Sequence, residues 1–112
     1  MKKYKNLNLN LDLEKNKSFL FERIKGRKII VIGGAGSIGS SYIKKILGYE
    51  PSKIIIVDTN ENGLTELTRD LRSSKLLDCD PEYLTYPVNL LSDTFNKIFD
   101  SDNWDIIANF SA

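Results

Sequence analysis

The run Lys28-Ile29-Ile30-Val31-Ile32-Gly33-Gly34-Ala35-Gly36-Ser37-Ile38-Gly39-Ser40 decides how the rest of the chain is read. Its first five residues form a short β-branched stretch, the pattern of a strand buried on both faces of a parallel sheet. The glycines that follow fit two spacings at once, Gly34-x-Gly36-x-x-Gly39 and Gly33-x-x-Gly36-x-x-Gly39. Such a pattern alone is weak, because glycines also serve tight turns. Between a buried strand and a helix it says more. Glycine lets the backbone turn sharply and leaves room for a pyrophosphate to reach the helix start, where free N–H groups and the helix dipole favour an anion. Gly39, one turn into the helix, would let helix and sheet pack closely. A dinucleotide site is therefore expected on Gly33, Gly36, Ser37, Ile38 and Gly39. The competing reading is a strand-to-helix turn that holds no ligand.

The same rhythm continues outward. Ser37 to Leu47 carries Ile38, Tyr42, Ile43, Ile46 and Leu47 at helical spacing, with Gly48 and Pro51 to stop it. Ile54 to Val57 reads as a second buried strand, and Asn60 as the N-cap of a helix with Leu64, Leu67 and Leu71 on its inner face. A third strand is expected at about Tyr83–Val88, a helix through Phe95, Ile98 and Phe99, and a fourth strand from Trp104 to Phe110. The order βαβαβαβ with short connections predicts an α/β fold with a Rossmann-type parallel sheet, strand order 3-2-1-4, cut off after the fourth strand. Residues 26–112 would form this dinucleotide-binding domain. Residues 1–25 would be an amino-terminal extension, with Leu7, Leu9, Leu11 and Leu13 alternating along a strap and a short helix from Ser18 to Ile24.

Asp58 ends the second strand, 19 residues after Gly39. That is close to the spacing of about 20 residues expected for the acid that grips an adenosine ribose. A carboxylate there accepts hydrogen bonds from both ribose hydroxyls. A strand-end aspartate that merely caps the following helix is the alternative.

Composition excludes other classes. The 112 residues suffice for one domain. With 41% apolar and 28% charged residues, the chain is of ordinary globular type. A net charge of +1 gives no reason to expect nucleic acid. The seven Lys/Arg against three Asp/Glu in residues 1–25 read as a solvated extension. Cys79 is the single cysteine and histidine is absent, which removes disulfides, cysteine-built metal sites and the commonest general base. No apolar run approaches the roughly 20 residues of a membrane span. The start lacks the apolar core of a secretory signal, and a cytoplasmic protein is expected.

The stretch from Ile29 to Ser40 resembles the start of the extended short-chain dehydrogenase/reductases. More narrowly it resembles the polysaccharide-biosynthesis nucleotide-sugar dehydratases, typified by UDP-N-acetylglucosamine 4,6-dehydratases. The likeness runs on through Ile54-Ile55-Ile56-Val57-Asp58, Asn60-Glu61-Asn62-Gly63-Leu64, Glu66-Leu67 and Asp105-Ile106-Ile107, covering residues 24–112. It implies further cofactor contacts: Asn60 after the second strand, Asn89 and Leu90 at the adenine, and Phe110, Ser111 and Ala112 at the nicotinamide-side ribose. Ile32 departs from the usual Thr, Asn89 from the usual Asp, and Thr59 from the Arg of many relatives. The family's catalytic Ser/Thr and Tyr-x-x-x-Lys pair lie beyond the fourth strand. The one such spacing here, Tyr49 to Lys53, is broken by Pro51 and sits at the amino end of the sheet, so no catalytic residue is assigned.

The resemblance implies the NAD(P)-binding part of a dehydratase whose whole form takes a UDP-sugar. An epimerase of the same superfamily and a non-enzymatic NAD(H)-sensing module remain the alternatives. NAD is expected over NADP, because Asp58 would face the 2′-phosphate and Thr59 and Asn60 supply no cation. Arg69 and Arg72 lie too far along the next helix to help. A homo-oligomer is expected, because the apolar fourth strand would be left at a sheet edge.

Overall fold

The computed structural model describes residues 22–111. The expected strap, Ser18 to Phe21 of the short helix, and Ala112 lie outside the described residues; positions 22–24 are helical. Four strands and three long helices follow in strict alternation: β1 (Lys28–Ile32), α1 (Ser37–Leu47), β2 (Lys53–Val57), α2 (Glu61–Ser73), β3 (Glu82–Tyr86), α3 (Asp93–Asp100) and β4 (Ile106–Asn109). All three strand pairs are parallel, in the order β3-β2-β1-β4. The α/β sheet order inferred from the sequence is the one found.

β1 is the axis of the sheet, and its residues divide between two cores. Ile29 and Val31 face one side with Ile54 and Ile56, where Tyr42, Ile43, Ile46 and Leu47 of α1 and Leu64, Leu67 and Leu71 of α2 cover them. Ile30 and Ile32 face the other side with Ile55 and Val57, under Phe95 and Ile98 of α3. Ile29, Ile30 and Val31 are wholly buried. At ~1.5–3 kcal/mol for each fully buried aliphatic side chain, these packed rows supply most of the drive to fold.

The end of β3 and the start of β4 depart from expectation, each for a local reason. β3 ends at Tyr86 rather than Val88, because Pro87 has no N–H to give the ladder and the Val88 N–H turns back to the Tyr86 carbonyl at 3.0 Å. β4 begins at Ile106 rather than Trp104, whose indole N–H donates to the Phe99 carbonyl at 2.8 Å and belongs to the turn. α1 ends at Gly48 as expected, but Gly48 keeps φ −67°, in the helical region, and the left-handed reversal falls on Glu50 at φ 57°.

The end of α2 shows the same displacement. The Leu76 N–H bonds the Leu71 carbonyl at 3.0 Å and the Lys75 N–H bonds the Arg72 carbonyl at 3.1 Å, the Schellman pattern. Its left-handed position is held by Lys75, at φ 61°. Lys75→Gly is expected to stabilise the chain by about 1 kcal/mol, since a side chain in that region carries a cost of this order. Urea denaturation checks it, through an upward shift of the midpoint at unchanged slope.

The amino end of the sheet is closed by charge. Asp102, in the turn between α3 and β4, pairs with Lys28 of β1 at 2.9 Å and with Lys53 of β2 at 3.1 Å. Glu82 of β3 stands 3.7 Å from the same Lys53 ammonium. Hydrogen bonds from Lys28, the Asn103 N–H and Lys53 hold the Asp102 carboxyl well below the usual carboxylate range. Such a group stabilises fully above its unfolded pKa of ~3.9, and the contribution is lost as pH falls through the depressed folded value. Asp102→Asn should therefore melt lower than the parent chain at pH 7. The gap should narrow below about pH 4, as thermal scans across that range would register.

Candidate functional site: the carboxyl edge of the sheet

Ile32 pairs with both Val57 and Asn109, and Val57 pairs with Tyr86, so the four strands end in one row. Everything that follows a strand is thereby delivered to one edge. The loop after β1 is fixed from two sides. The Gly33 N–H donates to the Val57 carbonyl at 2.7 Å, and the Phe110 N–H donates to the Ile32 carbonyl at 2.7 Å. Gly33 has φ +78°, and a Cβ there would lie 2.7 Å from the Ser111 nitrogen, so backbone conformation and close approach both require glycine. A Cβ on Gly34 would collide with Ile56 and Ile43, and one on Gly39 with the Gly33 carbonyl.

Gly36 differs from the other three. It is the N-cap of α1 in extended conformation (φ −74°, ψ 169°), and an added Cβ would meet only the Gly33 oxygen, at 3.7 Å. The fold accepts a side chain there. α1 also starts without a side-chain cap and without an acidic residue in its first turn. By contrast Asn60 and Glu61 serve α2, and Ser92 and Asp93 serve α3. The first N–H groups of α1 have no intrahelical partner. The positive end of its dipole is likewise uncompensated by an acid of the first turn. Ser37 and Ile38 are exposed at this end, Ile38 by 65% of its surface, while Gly39 is buried against the loop.

Asp58 stands at the end of β2, half-buried. Its Oδ2 accepts the Ala35 N–H at 3.0 Å and its Oδ1 accepts the Asn60 N–H at 2.9 Å. The carboxylate thus ties the middle of the glycine loop to the start of α2. Asn60 in turn spends its side-chain oxygen on the Gly63 N–H at 2.9 Å, so its side chain caps the helix. Asn89 and Leu90 lie one strand further out. The Asn89 side chain accepts the Leu91 N–H at 2.8 Å and shapes the approach to α3, while Leu90 packs against the core on that face.

After β4, the Phe110 ring turns inward onto Tyr42, with ring centroids 5.2 Å apart. Burial pushes the Tyr42 hydroxyl up to about 12, so it stays protonated and serves as packing beneath the loop. The Ser111 N–H and hydroxyl both donate to Asn109 Oδ1, at 2.9 and 2.7 Å. Gly33, Gly36, Ser37, Ile38, Gly39, Asp58, Asn60 and the Ser111 backbone are therefore brought together, and Ala112 lies outside the described residues. Lys53 of the Tyr49-x-x-x-Lys53 spacing is committed to Asp102 and Glu82 at the opposite end of the sheet.

Two participants were missed from the sequence. Ala35 supplies the N–H that Asp58 holds, and Gly63 is the point at which α2 meets the loop. A glycine inside the first turn of an otherwise regular helix is the signal that could have flagged the second.

A model of a polysaccharide biosynthesis protein family matches residues 29–101. Over 52 residues the chain is 42% identical to an uncharacterized membrane protein of Methanocaldococcus jannaschii, spanning 46% of this chain and 16% of that one. Over 54 residues it is 35% identical to EpsC of Bacillus subtilis, named for polysaccharide biosynthesis, spanning 48% of this chain and 9% of that one. The matched stretches are thus a small part of either relative. Among solved structures, a Haemophilus influenza protein assigned as a D-mannonate oxidoreductase, crystallised with NAD, aligns at a TM-score of 0.57 and 19% identity. That alignment covers 80% of this chain and 32% of that one. Escherichia coli MccB, crystallised with ATP, aligns at 0.52 and 15% identity, covering 88% of this chain and 36% of that one. At those identities the two structures speak for the fold. The family match takes in β1, the glycine loop, Asp58 and all three helices, and by it this chain belongs to the polysaccharide biosynthesis protein family.

Proposed function

We propose that residues 26–112 are the dinucleotide-binding portion of a cytoplasmic nucleotide-sugar dehydratase, with NAD as the preferred cofactor. In the whole protein the substrate would be a UDP-sugar. Self-association would run through β4, an apolar strand at the margin of the described sheet. Gly36 carries this reading. Of the four glycines in the loop it is the one with no backbone or packing need to be glycine, and it stands where α1 offers unspent N–H groups. A side chain there would fill the space through which a pyrophosphate reaches the helix end. Asp58 supports the assignment, because each of its oxygens accepts one backbone N–H and keeps a lone pair for a ribose hydroxyl. A bound nicotinamide supplies hydride transfer from and to a sugar carbon. This chain's own part is to cradle the pyrophosphate on backbone amides and to orient the adenosine ribose.

Gly36→Val separates the ligand role from a folding role. It is expected to keep the parent circular dichroism spectrum and to lose at least tenfold in NADH affinity by fluorescence titration, a change of about 1.4 kcal/mol. Unchanged affinity, or tighter binding of ATP than of NADH by the parent chain, would overturn the assignment.

Cofactor preference follows from charge. Among the described residues no cation side chain bonds the Asp58 carboxylate, whose partners are the two backbone N–H groups. A 2′-phosphate placed against it is repelled. Calorimetric titration should find NADH bound more tightly than NADPH, with the difference reduced in Asp58→Asn; the reverse order would mean that a cation reaches the ribose from elsewhere in the fold.

A further inference from the structure

Gly63 is not among the residues assigned to the dinucleotide itself, yet it packs on the loop that carries them and leaves little room for a side chain. It lies in the first turn of α2, where alanine is the better helix former. A Cβ there would stand 2.7 Å from Asn60 Nδ2 and 3.0 Å from the Cβ of Ala35. The start of α2 therefore rides on the middle of the glycine loop with no space for a methyl group between them. These three residues and Asp58 are joined by hydrogen bonds. Gly63 donates to the Asn60 side chain, the Asn60 N–H donates to Asp58 Oδ1, and Asp58 Oδ2 accepts from Ala35. Packing of Gly63 on Ala35 closes the circuit.

We propose that Gly63 is a specificity-determining positioning residue: by letting α2 close on Ala35, it fixes the Asp58 carboxylate in the orientation that favours NAD over NADP. The inference rests on the dinucleotide reading above. A carboxylate held by one N–H on each oxygen presents its remaining lone pairs as a rigid pair of acceptors, suited to two vicinal hydroxyls. The same rigidity keeps its charge where a 2′-phosphate would come. A methyl group at position 63 forces α2 and the loop apart, stretches the bonds to Ala35 and Asn60, and lets the carboxylate swing. It then grips the diol less well and repels the phosphate less.

The test is titration of the full 112-residue chain with NADH and NADPH, using nicotinamide fluorescence. Gly63→Ala is expected to lose about tenfold in NADH affinity, the worth of one hydrogen bond to a charged group, with a smaller change for NADPH. The selectivity ratio shrinks accordingly. Ala35→Gly in the same background removes the methyl at 3.0 Å, though not the Asn60 amide at 2.7 Å, and should recover part of the ratio. If circular dichroism shows Gly63→Ala unfolded, Ala35→Val loads the same contact from the loop side and is read in the same way. A folded variant with an unchanged ratio overturns the proposal, even if both affinities fall together, because Gly63 then serves packing alone. A parent chain that binds neither cofactor, or prefers NADPH, overturns the reading underneath and this inference with it. That result is distinct from a selective parent whose variant keeps its selectivity.

Discussion

A central strand that is apolar on both sides cannot be left uncovered on either. β1 places Ile29 and Val31 toward α1 and α2, and Ile30 and Ile32 toward α3, and it pairs with β2 on one edge and β4 on the other. Parallel neighbours need crossover helices, and helices on both faces are what the two apolar rows demand. Reversing the chain direction after β1 places α1 on one face. The return to β4 through α3 places a helix on the other. These opposite crossovers diverge at the carboxyl ends of β1 and β4.

The two ends of the sheet are held by different physics. At the amino end, side-chain charge does the joining: two lysines on adjacent strands, a shared aspartate and a glutamate. At the carboxyl edge the joining is done almost wholly by backbone groups, and among the described residues Asp58 is the one side chain that hydrogen-bonds into the glycine loop. Backbone donors are short and cannot relax away, so the loop is ordered without the bulk of side chains. That leaves the start of α1 open to a ligand while the surrounding turns stay fixed.

Much of this was legible in the residues, and the limits were physical. β1 and α1 were placed to the residue, because a β-branched run against a glycine loop leaves little choice of boundary. β3 moved because one missing donor at Pro87 redirects the chain, and β4 shortened because the Trp104 indole found a partner in the turn. The motif showed which glycines stood in the loop but not their separate reasons. Gly33, Gly34 and Gly39 answer to neighbours distant in sequence or to the loop itself, and Gly36 does not. Spacing identified Asp58 without revealing that both its oxygens hold backbone amides, since the Ala35 contact exists only once β2 lies beside β1. Gly63 stood out in sequence only as a glycine in a helix turn, and its reason was hidden in the same way. Its partner Ala35 belongs to another element.

The clamp at Asp102 also bears on the time course of folding. It joins Lys28 across 74 positions and Lys53 across 49, so it closes only once α3 has brought the turn before β4 back beside β1 and β2. Contacts of such separation carry a large loop-closure entropy and are made late. An interaction absent from the transition state acts on the rate of escape from the native state and leaves the rate of arrival nearly unchanged. Asp102 is thus expected to act as a latch, lengthening the lifetime of the folded chain more than it hastens its formation.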